Sequence, residues 1–487
     1  MSRLILPPAL LLCFCLTAAN AAEDDALRGQ AAASLKKASE FFRTRVSTEG
    51  GYLWRYSEDL KRRQGEGRAD DQTVWVQPPG TPSVGMAFLE AYRNTGDEYY
   101  LDAARQAGYC LLKGQLRSGG WSYSIRFDAK RRQSHAYRVD EPVEGKKQRN
   151  TSTLDDNTTQ AALRLLMRLD QTLEFKDAKI HEAVEYAFDA LLAAQYPIGA
   201  WPQRFDAPVD PDKFPVMKAG YPESWSRTHP RDNYSGFYTF NDNAISDVID
   251  VMFEAYHTYG KRVYEASAEK AGGFILLAQM PEPQPAWAQQ YNTQMQPAWA
   301  RRFEPPSITG GESQGVMRTL LQLYSQTGER KYLEPIPRAI AYLRRSLLPD
   351  GKLARFYELK TNKPLYFTID YKLTYSDADM PTHYSFQGAS SLDSIERAYE
   401  RLSKLDPTKL AAARSTRQSA KPKRKASKRQ LATVKAVIAA LDQQGRWVQD
   451  GDMKKYLGAD DDTTRVIDCR AFINNISTLS RFLATAE

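Results

Sequence analysis

A short glycine-aromatic turn recurs along the chain: GGYLWRY at 50–56, GGWSYSIRF at 119–127, GAWPQRF at 199–205, with weaker copies GKLARFY at 351–357 and GRWVQDG at 445–451. A second mark falls between these turns: YRNTGDEYYL at 92–101, YHTYGKRVYE at 256–265 and YSQTGERKYL at 324–333. The intervening stretches have helical apolar spacing. Ile245, Val248, Ile249, Met252 and Tyr256 fall at i, i+3, i+4, i+7 and i+11, and Val316, Leu320, Leu323 and Tyr324 repeat the stripe. Alternating strand patterns are scarce, so the expected class is all-α. A unit of helix, TG-type turn, helix and aromatic turn makes successive helices antiparallel, with all aromatic turns at one end. Units that each expose an apolar face must stack, in an open solenoid or a closed ring. The ring solution is an (α/α) toroid of helical hairpins, with a central cleft at its aromatic end.

The N-terminus reads as a secretory signal. Arg3 gives a positive start, Leu4 to Leu16 an apolar run, and Ala19-Asn20-Ala21 a peptidase site. The run is too short to span a bilayer, and no other stretch of that kind follows. Residues 1–21 are therefore expected to be removed, releasing a secreted or periplasmic protein from Ala22 with no membrane attachment. Residues 22–487 are expected to form one catalytic domain, interrupted by a basic, flexible insertion at about 404–430. That insertion explains the net charge of +8. Eight basic residues and no acidic one lie between Arg414 and Arg429. Without them and Arg3 the body is nearly neutral, which argues against a nucleic-acid partner. Cys13 and Cys15 leave with the signal. Cys110 and Cys469 belong to no CxxC pattern, and in a closed ring they are either a staple between first and last hairpins or two buried thiols. The five histidines form no HExxH motif.

Aromatic residues make up 11% of the chain, dominated by 27 tyrosines and 8 tryptophans, a composition suited to sugar contacts as well as to cores. Four polar clusters sit at or near the aromatic end: TLDDNTTQAALRLL (153–166), AQYPIGAWPQRF (194–205), YTFNDNAISDV (238–248) and QPAWARRFEPPS (296–307), which leads into GGESQGVMRTLLQLY (310–324). Together with LARFYELKTNKP (353–364), these segments resemble, in order, the motifs of the polysaccharide lyase family ten pectate lyases, whose fold is an (α/α) toroid. The resemblance covers roughly 150 to 385. It departs in the loop from Asp206 to Phe237, which is longer than the family's usual connection, in Gly199-Ala200 where the family has Gly-Gly, and after TNKP, where further arginines are replaced by Lys372 and His383 alone.

What the resemblance implies is calcium-assisted β-elimination of a 1,4-linked polyuronate such as polygalacturonate. Arg301 would be the base, Asp242 a calcium ligand, and one of Asp155 and Asp156 would assist. The residue types suit that chemistry. The C5 proton lies beside a carboxylate, its removal needs a hard cation on that carboxylate, and calcium takes oxygen ligands. An arginine can serve as base only if its pKa falls or C5–H is made unusually acidic, and Arg302 and a calcium ion would both push the pKa down. Arg302, Arg355, Lys372, Gln203 and Asn241 are the expected substrate contacts. Trp201 is either core or a sugar platform, and Arg355 either binds substrate or pairs with Glu358. Asn157 with Gln160 could form a capping box, and Asp242 could be a helix cap. Two rival functions remain open. One is a hydrolase using two carboxylates among Glu304, Glu312, Asp156 and Asp242, and the other is a polyuronate-binding protein without activity. A monomer acting on an acidic polysaccharide is expected.

Overall fold

In a computed structural model, which describes residues 8–406, 410 and 425–486 with side chains from Asp24 onward, the five glycine-aromatic turns are each built on a glycine in left-handed backbone. The φ values of Gly50, Gly119, Gly199, Gly351 and Gly445 are 84°, 100°, 106°, 79° and 85°. At Gly199 a Cβ would fall 2.1 Å from the Lys270 carbonyl oxygen, so no larger residue fits. Two residues beyond the glycine comes a buried side chain: Tyr52, Trp121, Trp201, Leu353 and Trp447. The indoles of Trp121, Trp201 and Trp447 donate to the carbonyls of Leu111, Leu191 and Val437 at 2.8, 2.8 and 2.9 Å. Each such bond ties the turn to the end of the helix before it. Trp287, in the glycine-free turn QPAWAQQY, does the same with Ile275 at 2.9 Å.

At the opposite end, Gly96, Gly260 and Gly328 are left-handed helix caps whose N–H groups bond to the carbonyls of Tyr92, Tyr256 and Tyr324 at 2.7, 2.8 and 2.8 Å. The two marks thus divide the chain into long helices: α1 (Pro8–Phe41), α2 (Thr81–Thr95), α3 (Glu98–Gly114), α4 (Thr158–Thr172), α5 (Ala178–Ala193), α6 (Ala244–Tyr259), α7 (Arg262–Leu277), α8 (Gly310–Thr327), α9 (Ile336–Arg345), α10 (Leu392–Ser403), α11 (Lys428–Ala439) and α12 (Cys469–Leu483). Helices α12, α2, α4, α6, α8 and α10 pack side by side as an inner row, and α1, α3, α5, α7, α9 and α11 lie outside them. The fold is an (α/α) toroid. Ile245, Val248, Ile249 and Met252 are buried along α6, and Val316, Leu320, Leu323 and Tyr324 along α8, as the periodicity requires.

The first and last hairpins meet. Arg55–Ser57 pairs antiparallel with Arg465–Asp468, and Phe42 stacks on Phe472. Cys110 and Cys469 are both buried and free, so there is no staple. Burial pushes the Cys110 thiol up to about 12. The basic tract at about 404–430 lies largely outside the described residues. Among the described residues no helix is long and apolar enough to cross a membrane.

Short antiparallel ladders link successive turns at the aromatic end: Ser152–Thr153 with Arg204–Phe205, Tyr238–Thr239 with Gln290–Tyr291, and Ser307–Thr309 with Phe356–Glu358. They carry the chain from each turn to the N-terminus of the next inner helix. The N-termini of α4, α6 and α8 therefore share one end, where the site lies. A small second core of Trp299, Phe356, Leu365, Tyr366, Phe367 and Phe386 supports it from one side. The long loop 206–237 is fastened over that core. The Trp299 indole donates to the Ser226 carbonyl at 2.8 Å, and the His229 ring bonds to the Ala300 carbonyl at 2.8 Å.

Candidate active site

Two segments one repeat apart reach the site with the same backbone. In Leu154-Asp155-Asp156-Asn157, Asp156 and Asn157 have φ, ψ of 48°, 36° and 58°, 30°. In Phe240-Asn241-Asp242-Asn243, Asp242 and Asn243 have 48°, 34° and 58°, 18°. Two consecutive left-handed residues that are not glycine cost about 1–3 kcal/mol each. Helix capping does not explain them, because neither Asn157 nor Asn243 makes a side-chain cap bond. Gln160 closes no capping box and donates instead to the Leu154 carbonyl at 2.9 Å. Asp242 is not a cap either, since Asn243 holds that position. The same turn in both copies brings carboxylates together. Oxygens of Asp155, Asp156 and Asp242 lie within 4.8 Å of one another.

Crowding of like charge in a partly buried place has a price in protonation. Burial first, and then Asp155 and Asp242, push the Asp156 carboxyl up to about 7. Burial and Asp155 push Asp242 up to about 6, although the residue as a whole is exposed. Tyr123 donates to Asp155 Oδ2 at 2.6 Å and Gln77 to Asp156 Oδ2 at 2.7 Å. Asp155 Oδ1 and Asn241 Oδ1 are buried with no hydrogen-bond partner. Convergent carboxylates and two unpartnered oxygens make an all-oxygen donor set, which fits a hard divalent cation. Asp156 is the backbone counterpart of Asp242, while Asp155 joins Asp242 in lining the adjoining cavity.

That cavity, of about 150 Å³, has Arg301 among its walls together with Gln203, Asn241, Gln289 and Tyr234. Arg301 sits in a tight turn that Glu304 closes, its N–H bonding to the Arg301 carbonyl at 2.8 Å. The Glu304 carboxylate is 2% exposed and accepts from Arg301 Nη2 at 2.6 Å, from the Arg301 N–H at 3.0 Å and from the Tyr384 hydroxyl at 2.8 Å. Burial opposes the Arg301 charge, but the Glu304 pair outweighs it and the guanidinium pKa rises above its ordinary value. This is the reverse of the lowering expected from Arg302. Arg302 is not poised against Arg301 in the pocket, and its guanidinium lies 3.5 Å over the Tyr371 ring.

The other expected contacts divide. Gln203 and Asn241 line the cavity. Trp201 does not: it is 1% exposed, with its N–H spent on Leu191, so it cannot be a sugar platform. Arg355 lies across the wall formed by Asp242, in an adjoining cavity of about 210 Å³. It pairs with Glu312 at 3.0 Å and not with Glu358, which faces Arg227. The i,i+3 spacing that would join it to Glu358 belongs to helices, and this segment is a strand. Lys372 is exposed beyond the strand Pro364–Phe367, outside both cavities. Glu304 and Glu312, offered by the hydrolase reading, are each committed to an arginine. Tyr234, Gln289 and the Glu304–Tyr384 brace were not anticipated. Glu304 alone had a signal, the i+3 spacing within RRFE.

A cleft at the aromatic end of a toroid, with a carboxylate cluster near an arginine, is a site equipped for polar chemistry. The chain is a polysaccharide lyase, and its residues 126–350 match the pectic acid lyase family. Solved structures similar to it include a family 10 polysaccharide lyase from Cellvibrio cellulosa (20% identity, 67% of this chain, 98% of that one, TM-score 0.45). A mutant of a Cellvibrio cellulosa family 10 lyase in complex with trigalaturonic acid aligns comparably (20%, 66% and 98%, 0.44). So does a cellobiose 2-epimerase from Bacillus thermoamylovorans (12%, 91% and 95%, 0.43). No curated protein matches the chain.

Proposed function

We propose that the chain is an exported pectate lyase that cleaves 1,4-linked polygalacturonate by calcium-assisted β-elimination, with Arg301 as base. One observation carries the reading: the Asp155–Asp156–Asp242 oxygens and Arg301 bound one region of the cleft. Asp155, Asp156, Asp242 and the Asn241 carbonyl oxygen would hold the ion, whose charge on the uronate carboxylate acidifies the C5 proton. Arg301 takes that proton, the C4–C5 double bond forms and the C4–O4 bond breaks. With Glu304 holding the guanidinium charged at rest, turnover draws on a small neutral fraction, so the rate climbs toward alkaline pH. Gln203 binds hydroxyls, and Arg355 takes a neighbouring carboxylate by exchanging it for Glu312.

Export rests on the Ala19-Asn20-Ala21 site, with the mature chain beginning near Ala22 as one toroidal domain that acts as a monomer. The basic tract at about 404–430 is proposed as an insertion in that domain. The test is homogalacturonan degradation with calcium and with chelator. Unsaturated products, seen by ultraviolet absorbance and formed only with calcium, are expected. Saturated ends would install a hydrolase, and binding without turnover would leave a polyuronate-binding protein.

A further inference from the structure

β-Elimination leaves a second proton to be placed. As C4–O4 breaks, the electron pair settles on the departing oxygen, which becomes the anomeric hydroxyl of the released sugar and needs a proton. Neither Glu304, ionised against Arg301, nor the carboxylate cluster, which gives up its protons when it holds a cation, is suited to supply it. Among the described residues that line the cavity, one carries a phenol. Tyr234 is among its lining residues with Arg301 and Asp242, and it comes from the long loop 206–237.

Three observations single out this tyrosine. Among the described residues its hydroxyl has no hydrogen-bond partner, whereas Tyr123 and Tyr384 beside the site donate theirs to Asp155 and Glu304. Its backbone is anchored on both sides. His229 is bonded to the Ala300 carbonyl at 2.8 Å, next to Arg301, and Tyr196 donates to the Gly236 carbonyl at 2.6 Å. The charges of Glu304, Arg301, Arg204 and Asp155 all act on the phenol, and burial followed by Glu304 raises its pKa, so it keeps its proton at alkaline pH.

We propose that Tyr234 is the general acid, donating its hydroxyl proton to the leaving O4 while Arg301 takes the proton from C5. The balance closes within the site. The C5–H, C4–O4 and Tyr234 O–H bonds break, the C4–C5 double bond, the O–H of the released sugar and an N–H on Arg301 form, and water then carries the Arg301 proton back to the tyrosinate. The step rests on the lyase reading above.

Tyr234→Phe tests it on two substrates. On polygalacturonate kcat should fall by about 100-fold or more, the usual contribution of general acid catalysis, with KM within about twofold of wild type. On a 4-deoxy-4-fluoro galacturonide, whose fluoride leaves without a proton, the variant should stay within about threefold of wild type. Equal losses on both substrates, a defect confined to KM, or an unimpaired variant would each overturn the assignment. Failure of the lyase reading would look different, because the wild type itself would then make no unsaturated product from either substrate.

Discussion

Replacing Asp156 by Asn should stabilise the ion-free protein while removing its use of calcium. The Asp156 carboxyl moves from 3.8 in an open chain to about 7 in the fold. At about 1.4 kcal/mol per pH unit this is an upper bound of roughly 4 kcal/mol of strain at pH 8. The side chain is only partly buried and water screens its neighbours, so about 1–2 kcal/mol is the realistic gain. The sign follows from the direction of the shift. A carboxyl raised by folding leaves stability intact below pH 3.8, and stability is lost as pH rises toward 7. Asn keeps an oxygen for the Gln77 amide and drops the charge. In chelator, urea melts from pH 4 to 8 should show the variant's advantage growing to about pH 7 and then levelling. With calcium at pH 8 the order should reverse, because only the wild type gains from the ion. A variant less stable than wild type at pH 8, or an advantage that does not vary with pH, would refute the repulsion on which the cation site is argued.

Asp242→Ala should keep the fold yet lose about 100-fold or more of calcium-dependent activity, and unchanged turnover in chelator would dismiss it as a ligand. Arg301→Lys should lose about 100-fold or more despite keeping its charge, because a point ammonium does not replace the planar fork; oligogalacturonate binding, followed by calorimetry, should persist. Glu304→Gln removes the charge that raises the Arg301 pKa, so the rising limb of the pH–rate profile should move toward lower pH; an unmoved limb would place the titrating base elsewhere. Denatured, unreduced protein should titrate as two thiols, Cys110 and Cys469, and a smaller number would contradict the free pair.

The helices were legible because a long buried stripe, such as Ile245 to Met252, repeats at the helical period for several turns. The ladders were not, because two-residue strands such as Ser152–Thr153 and Arg204–Phe205 have no period to read. The long loop was visible as an excess of chain between Asp206 and Phe237, but its anchoring depends on His229 meeting a carbonyl and Trp299 meeting Ser226, contacts between distant parts of the sequence. Asp242 and Arg301 were found by resemblance, and the direction of the Arg301 pKa shift was misjudged. The sequence puts Arg302 next to Arg301, whereas the fold puts Glu304 there, since the tight turn brings i+3 under i.

Trp201 carries the more general lesson. Taken alone, a tryptophan in WPQ beside a presumed sugar site can stack on a ring or fill a core. Its register removes the choice. Counted from the turn glycine, the same position holds Tyr52, Trp121, Leu353 and Trp447, all buried. A residue that recurs in every copy serves the copy, by fastening turn to helix. Chemistry has to come from what the copies do not all share. Asp156 and Asp242 occupy equivalent places in only two of the turns, and the Arg301–Glu304 hairpin has no counterpart among the motifs that recur. The carboxylates therefore meet across the seam between neighbouring repeats, where two copies of one strained turn face each other. In a toroid of this kind, strain that is repeated without capping a helix marks the site more reliably than an aromatic residue that is repeated with the fold.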